Sequence, residues 1–198
     1  LNGLEKFIHD ANPKFPPLIR IALVHAQFET IHPFLDGNGR IGRLLIAALL
    51  EEWKLLSEPL MYLSGYLKEN QSEYYQRLSD IRTKGDWERW ISFFLEGVAS
   101  AAKNAEKSII EIASLVTRDR KLLLESPKAT PLAYRLFEQL PMMPRFTIDR
   151  VRKELNTTFP TATAAVTILE DLGILCELTG NKKHRHYSYQ SYVDLLSR

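Results

Sequence analysis

Residues 32 to 43 read His-Pro-Phe-Leu-Asp-Gly-Asn-Gly-Arg-Ile-Gly-Arg. This stretch gathers a base, a carboxylate, a glycine-rich turn and two arginines. Those are the parts needed to hold a metal-bound polyphosphate and to take a proton from an attacking hydroxyl. Gly37 and Gly39, on either side of Asn38, permit the positive φ that turns successive N–H groups towards one point, and such a nest binds anions. A helix beginning here adds its own unpaired N–H groups and the positive end of its dipole. Arg40 and Arg43, spaced i and i+3, can reach from one face of the first turn and clamp two phosphate groups. Asp36, beside the nest, can supply a carboxylate to Mg2+, whose shell phosphate oxygens and water complete. His32 stands at the mouth of the loop, where a neutral imidazole is the best-placed base near pH 7, worth roughly 10²–10⁴ in rate. Pro33 stiffens the loop. Phe34, its one large aromatic, is expected to be a buried anchor.

Taken singly, each of these residues reads as an ordinary turn or a solvated helix face. Together they weigh more, because the arginines open a helix whose stretch Leu44 to Leu50 is apolar on every side, as in a helix at the centre of a bundle. Two cations at the head of such a helix need an anionic partner.

The elements that must position the motif are mostly helical. Pro16-Pro17 opens an apolar-periodic run from Leu18 to Ile31, with Leu18, Ile21, Ala22 and His25 on one stripe. Pro33 takes His32 out of the helical region and ends that run. The motif helix is expected from about Gly39 to about Trp53. Further helices are expected over Gln71 to Thr83, Trp87 to Ala102 with Asp86 as cap, and Ala105 to Glu125. Ser126-Pro127 marks a domain boundary, giving domains 1–127 and 128–198. In the second, helices are expected over Pro131 to Gln139, Ile148 to Leu155 and Thr161 to Leu172. Strands Ile174 to Thr179 and His184 to Tyr189 then flank the turn Gly180-Asn181-Lys182-Lys183. Three helices and a hairpin make a winged helix. The fold class expected is mainly α, a helical bundle followed by a small α+β domain.

Composition sets wider bounds. The chain has 198 residues, 45% hydrophobic and 25% charged, with a net charge of +2, so charge alone selects neither a nucleic-acid nor a membrane-surface binder. No apolar run approaches the roughly 20 residues that span a bilayer, so no membrane partner is expected. The single cysteine, Cys176, excludes an internal disulfide and fits a reducing, cytoplasmic compartment.

His32 to Arg43 resembles in full the motif of the Fic family, His-Pro-Phe-x-(Asp/Glu)-Gly-Asn-Gly-Arg-x-x-Arg. The flanking text is similar too: His25 to Ile31 before it, Glu73-Tyr74-Tyr75 and Gly85-Asp86-Trp87-Glu88 after it. The resemblance covers about residues 4 to 125, and the tail resembles the winged-helix domain that follows many bacterial Fic cores. It implies a protein adenylyltransferase, which moves AMP from ATP to a Ser, Thr or Tyr hydroxyl of a target protein, the chain itself included, and releases pyrophosphate. In that reading His32 is the base and Asp36 the Mg2+ ligand. Gly37, Asn38, Gly39, Arg40, Gly42 and Arg43 bind the nucleotide, with Asn38 on the α-phosphate. The tyrosine pair borders the adenine, Tyr75 foremost. Nothing in the motif reads the base, so UTP, GTP or CDP-choline stay open as donors.

Family members usually carry a target-aligning β-hairpin flap, and many an inhibitory helix with Ser/Thr-x-x-x-Glu-Gly/Asn. In the relatives this chain resembles, both lie before the equivalent of residue 4, so the chain is expected to be a fragment. Ser92 to Gly97 fits the inhibitory pattern in letters but is expected to be bundle core. The rival function is DNA binding by the tail. Its basic wing, Lys182, Lys183 and Arg185, favours that. Against it, Thr161 to Leu172 has no Lys or Arg, and residues 129–198 hold nine basic and seven acidic residues. A docking or homo-oligomer role is preferred for the tail. Nucleotide binding without transfer is a third reading. His25 is expected to be a packed core histidine, Cys176 a buried inert thiol, and His184 and His186 to share one strand face.

Overall fold

The computed structural model describes residues 1–11, 13–56, 62–181 and 184–196. Lys182 and Lys183, expected in the wing, lie outside the described residues. Two compact units divide at Glu106 and Lys107, ahead of the boundary expected at 127. Among the described residues no helix is long and apolar enough to cross a membrane.

The first unit holds α1 (Asn2–Ile8), α2 (Pro17–Ile31), α3 (Asn38–Glu52), α4 (Leu63–Glu69) and α5 (Gln71–Lys84), with residues 87–106 of α6 (Trp87–Glu125). The central helix is α2 rather than α3. Ile21, Ala22, Val24, Ala26 and Phe28 bury nearly all sides of α2. The expectation that α3 is buried all round fails: Leu44 is 68% exposed, and only Asn38, Gly42, Ile46, Leu49 and Leu50 are buried. An apolar run of that length does not distinguish a buried helix from one with an exposed apolar face.

Buried polar bonds fix α2 against its neighbours. His25 donates from Nδ1 to the Gly42 carbonyl of α3 at 3.1 Å, and its Nε2 accepts the Tyr74 hydroxyl of α5 at 2.9 Å. The indole N–H of Trp90 on α6 donates to the Ala22 carbonyl at 2.9 Å, and its ring stacks on His25. Burial, with a further push from Arg43, lowers the His25 pKa to about 4. The core reading of His25 therefore holds. Gly42 is what lets α3 come this close, since a methyl group there would lie 2.5 Å from Glu29 Oε1 and 3.1 Å from the His25 ring.

Residues 87–125 form one helix where two were expected. No Gly or Pro interrupts the chain between Gly97 and Pro127, so nothing breaks it. Gly97 faces Tyr66, whose ring a methyl group there would meet at 2.6 Å, while Ser92 bonds Glu96 at 3.0 Å on the exposed side. Gly97 thus serves the packing of α6 on α4, and the Ser92–Glu96 bond lies within α6.

The second unit holds the rest of α6, then α7 (Pro131–Gln139), β1 (Arg145–Thr147), α8 (Ile148–Glu154), α9 (Phe159–Asp171), β2 (Cys176–Glu177), β3 (His186–Ser188) and α10 (Gln190–Leu196). Thr130, Thr147 and Thr158 cap α7, α8 and α9 through their side chains. On α9, Ala162, Ala165, Val166 and Leu169 repeat at helical spacing and are buried. The three strands pair antiparallel in the order β1-β3-β2, with Phe146 opposite Tyr187. The fold is thus mainly α with a small α+β tail. His184 does not share a strand face with His186, because it sits in a left-handed turn (φ 55°) ahead of β3. Cys176 is half-buried rather than buried, its thiol against the Ser188 carbonyl. In this unit the buried Asp119 carboxylate accepts the Tyr189 hydroxyl at 2.7 Å and the Arg118 guanidinium at 2.8 Å.

Tyr189→Phe strips a donor from a buried carboxylate and is expected to lower unfolding free energy by about 1–3 kcal/mol in urea titrations. His25 gives a pH signature. Its folded pKa lies below the unfolded value of 6.5, so the unfolded chain binds the extra proton. Stability present above pH 6.5 is lost as pH falls towards about 4, then levels off. Relative to His25→Gln, the loss should be on the order of 3 kcal/mol. Parallel pH dependence in both proteins would refute this.

Candidate active site

The site forms where α2 stops and α3 starts. Carbonyls at the end of α2 need a terminating turn, and His32 supplies it: its N–H bonds the Phe28 carbonyl at 3.0 Å while its backbone turns left-handed (φ 49°, ψ 58°). The following proline disfavours right-handed helix at this position. A left-handed non-glycine residue costs roughly 1–2 kcal/mol, which the surrounding packing must offset. The result is an exposed imidazole fixed at the end of a buried helix.

The loop between the helices is closed by Asn38. Its buried side chain accepts from the Phe34 N–H at 2.9 Å and donates to the Phe34 carbonyl at 2.6 Å. The Asn38 amide is therefore engaged by the loop itself, a role its residue type did not announce. Phe34 is not the buried anchor expected. Its ring leans on Phe28 and stays 48% exposed, because the loop is held by its backbone rather than by burial of that ring. Leu35 next to it is fully exposed.

Gly37 is left-handed (φ 84°) and turns the chain into α3. The first bond of the new helix runs from Ile41 N–H to the Gly37 carbonyl, and among the described residues no side chain caps the N–H groups ahead of it. Uncapped N–H groups at a helix start are where an anion can be held. Both arginines fold back over this turn: Arg40 Nη2 lies 3.3 Å from where a Gly37 Cβ would stand, and Arg43 Nη1 lies 3.2 Å from that of Gly39. The left-handed φ of Gly37 favours glycine there, while at Gly39 a Cβ would press on the end of the Arg43 side chain. Arg40 also pairs with Asp36 at 3.2 Å, both side chains being largely exposed. Solvent and Asp36 thus serve Arg40, and for that residue the inference of poor solvation does not hold. The case for an anion site rests instead on their convergence over the uncapped turn.

A cleft of about 410 Å3 runs beside α3, lined by Arg40, Arg43, Leu44, Ala47, Tyr62 and Ser64. It has the size and the mixed apolar and cationic walls suited to a nucleotide. The tyrosine pair splits: Tyr74 is core, bonded to His25, while Tyr75 is exposed with its ring 5.2 Å from that of Tyr74. Gly42 is buried against α2. The residue that the motif reading passed over is Glu29. It lies half-buried on α2, and its Oε1 is closed off from solvent without a hydrogen-bond partner among the described residues. Burial raises its pKa, opposed by His32, Arg43 and Arg82. The signal was present in the sequence, since Glu29 falls four residues after His25, on the buried stripe.

Residues 1–50 match the Fic/DOC family model. Over 47 residues the chain is 47% identical to a probable protein adenylyltransferase, aq_aa38, of Aquifex aeolicus (strain VF5), covering 23% of this chain and 15% of that protein. Over 102 residues it is 30% identical to the protein adenylyltransferase Fic of Drosophila grimshawi, covering 47% of this chain and 19% of the relative. A solved Fic family protein from Desulfovibrio desulfuricans G20 shares the fold at a TM-score of 0.50 and 20% identity, over 94% of this chain and 52% of its own. The chain thus spans under a fifth of either curated relative. The family match falls on the segment that carries His32 and the α3 turn, and it is there that the chain is similar to Fic proteins.

Proposed function

We propose that this protein is a nucleotidyltransferase that moves AMP from ATP to a hydroxyl side chain of a target protein. One observation carries the reading: two guanidinium groups converge on an uncapped, glycine-turned helix start beside an exposed histidine. A polyphosphate fits the first part and a hydroxyl nucleophile the second. The names of the relatives support the choice of AMP.

In this reading His32 takes the proton of the acceptor hydroxyl. The oxygen forms a bond to the α-phosphorus, and the bond from that phosphorus to the β-bridging oxygen breaks, its electron pair leaving with pyrophosphate. The first-turn N–H groups of α3 hold the α-phosphate oxygens, and Arg40 and Arg43 balance the charge gathering on the leaving group. Gly42 acts through packing, bringing Arg43 to the turn. Tyr75 is an exposed ring available to the base.

Asp36 fits Mg2+ of one kind. Its carboxylate is 93% exposed, and among the described residues no cluster of three or more ligating side chains exists. That suits an ion delivered with the nucleotide, with Asp36 as its protein ligand and phosphates and water as the rest. When bound, such an ion would supply neutralisation of phosphate charge. The Arg40–Asp36 pair is exposed and weak, about 0–1 kcal/mol, so both partners can exchange to ligand.

For the second unit we retain the winged-helix reading, supported by its order α7-β1-α8-α9-β2-β3. The helix that would enter a DNA groove, α9, has no Lys or Arg, which favours docking or self-association over DNA.

Incubation with α-32P-labelled ATP and Mg2+ in a lysate of the source cell tests the function. A labelled protein band is expected, reduced at least about 100-fold in His32→Ala. Label from a different nucleotide would change the donor and keep the mechanism. Nucleotide bound but never transferred would overturn it in favour of a binding module.

A further inference from the structure

Glu29 lies one turn after His25 and one turn before His32 on α2, the same face that meets α3. Its Oε1 stands where only the missing side chain of Gly42 leaves room, shut off from solvent and without a partner among the described residues. A carboxylate oxygen so placed is costly to stability and calls for a role. Three basic side chains act on it electrostatically, His32, Arg43 and Arg82, and two have other engagements. Arg43 on α3 is folded over Gly39, and Arg82 on α5 donates from Nε to the Leu78 carbonyl at 3.3 Å. Tyr74 on α5 and His25 on α2 are bonded to each other. His32 remains, its imidazole making no hydrogen bond among the described residues.

We propose that Glu29 is the positioning residue for His32: its free Oε1 accepts the imidazole N–H opposite the nitrogen that faces the acceptor hydroxyl, and its charge balances the imidazolium formed in the reaction. This rests on the transfer reading above. The acceptor proton moves to the free ring nitrogen as the oxygen–phosphorus bond forms, and His32 later releases it to solvent. Glu29 stays ionised throughout and takes no proton, as in other carboxylate-supported histidine bases. Burial works against that charge, while His32, Arg43 and Arg82 favour it, His32 most of the three.

Glu29→Gln keeps the shape against Gly42 and removes the charge. In the full chain, three quantities are measured: single-turnover AMP transfer, ATP affinity, and the His32 tautomer from imidazole 15N shifts. The expected result is transfer slowed roughly 10–100-fold with ATP affinity within about twofold. The His32 tautomer should change from one dominant form to a mixture, without a drop in thermal midpoint. An unchanged rate and tautomer would overturn the proposal. So would a fall in rate accompanied by loss of ATP affinity and thermal midpoint, which would make Glu29 a packing residue. Should the unsubstituted chain transfer nothing, the transfer reading falls by itself, and the tautomer comparison still decides whether Glu29 orients His32.

Discussion

Contact between α2 and α3 at Gly42 is the constraint on which the site depends. A backbone carbonyl of α3 accepts a hydrogen bond from a fully buried histidine of α2, across a gap that no side chain larger than hydrogen at position 42 would leave open. Because Tyr74 and Trp90 hold the same histidine, the two helices are fixed against α5 and α6 as well. The end of one helix and the start of the next are thereby brought together. One contributes the exposed His32 imidazole, the other the glycine turn that opens α3.

The turn itself is built by subtraction. Gly37 and Gly39 lack side chains, and the space is filled by the guanidinium groups of Arg40 and Arg43. Asn38 meanwhile consumes its own polar atoms in closing the loop on Phe34. Among the described residues no side chain caps the first N–H groups of α3, a state tolerated at a helix start because water or an anion can satisfy them. The strained His32 backbone belongs to the same economy of parts: a left-handed residue ends α2 abruptly and leaves its side chain at the surface.

Much of this was legible in the chain. The motif text specified the histidine, carboxylate, glycines and arginines. Proline and glycine placed the ends of α2, α5 and α9, and helical spacing identified His25 as a core residue. Burial was harder to read. The run Leu44 to Leu50 is apolar throughout, yet Leu44 faces solvent, because hydrophobicity permits burial without requiring it. Phe34 misled for the same reason. Residues 87–125 read as two helices because composition changes along them, although no helix-breaking residue intervenes.

The sequence by itself determined which chemical groups are present and that a glycine turn would separate two helices, since local backbone preferences act over a few residues. Only the tertiary structure decided which groups meet. Glu29 reads as one charged residue among many until folding seals its Oε1 behind Gly42, within the electrostatic reach of His32 and Arg43. Asn38 reads as one polar residue of a turn until packing bonds its side chain to Phe34. Tyr74 and Tyr75 read as a pair until one is buried on His25 and the other left in solvent. Burial, desolvation and hydrogen-bond competition are properties of neighbours, and neighbours distant in the chain are assigned by packing.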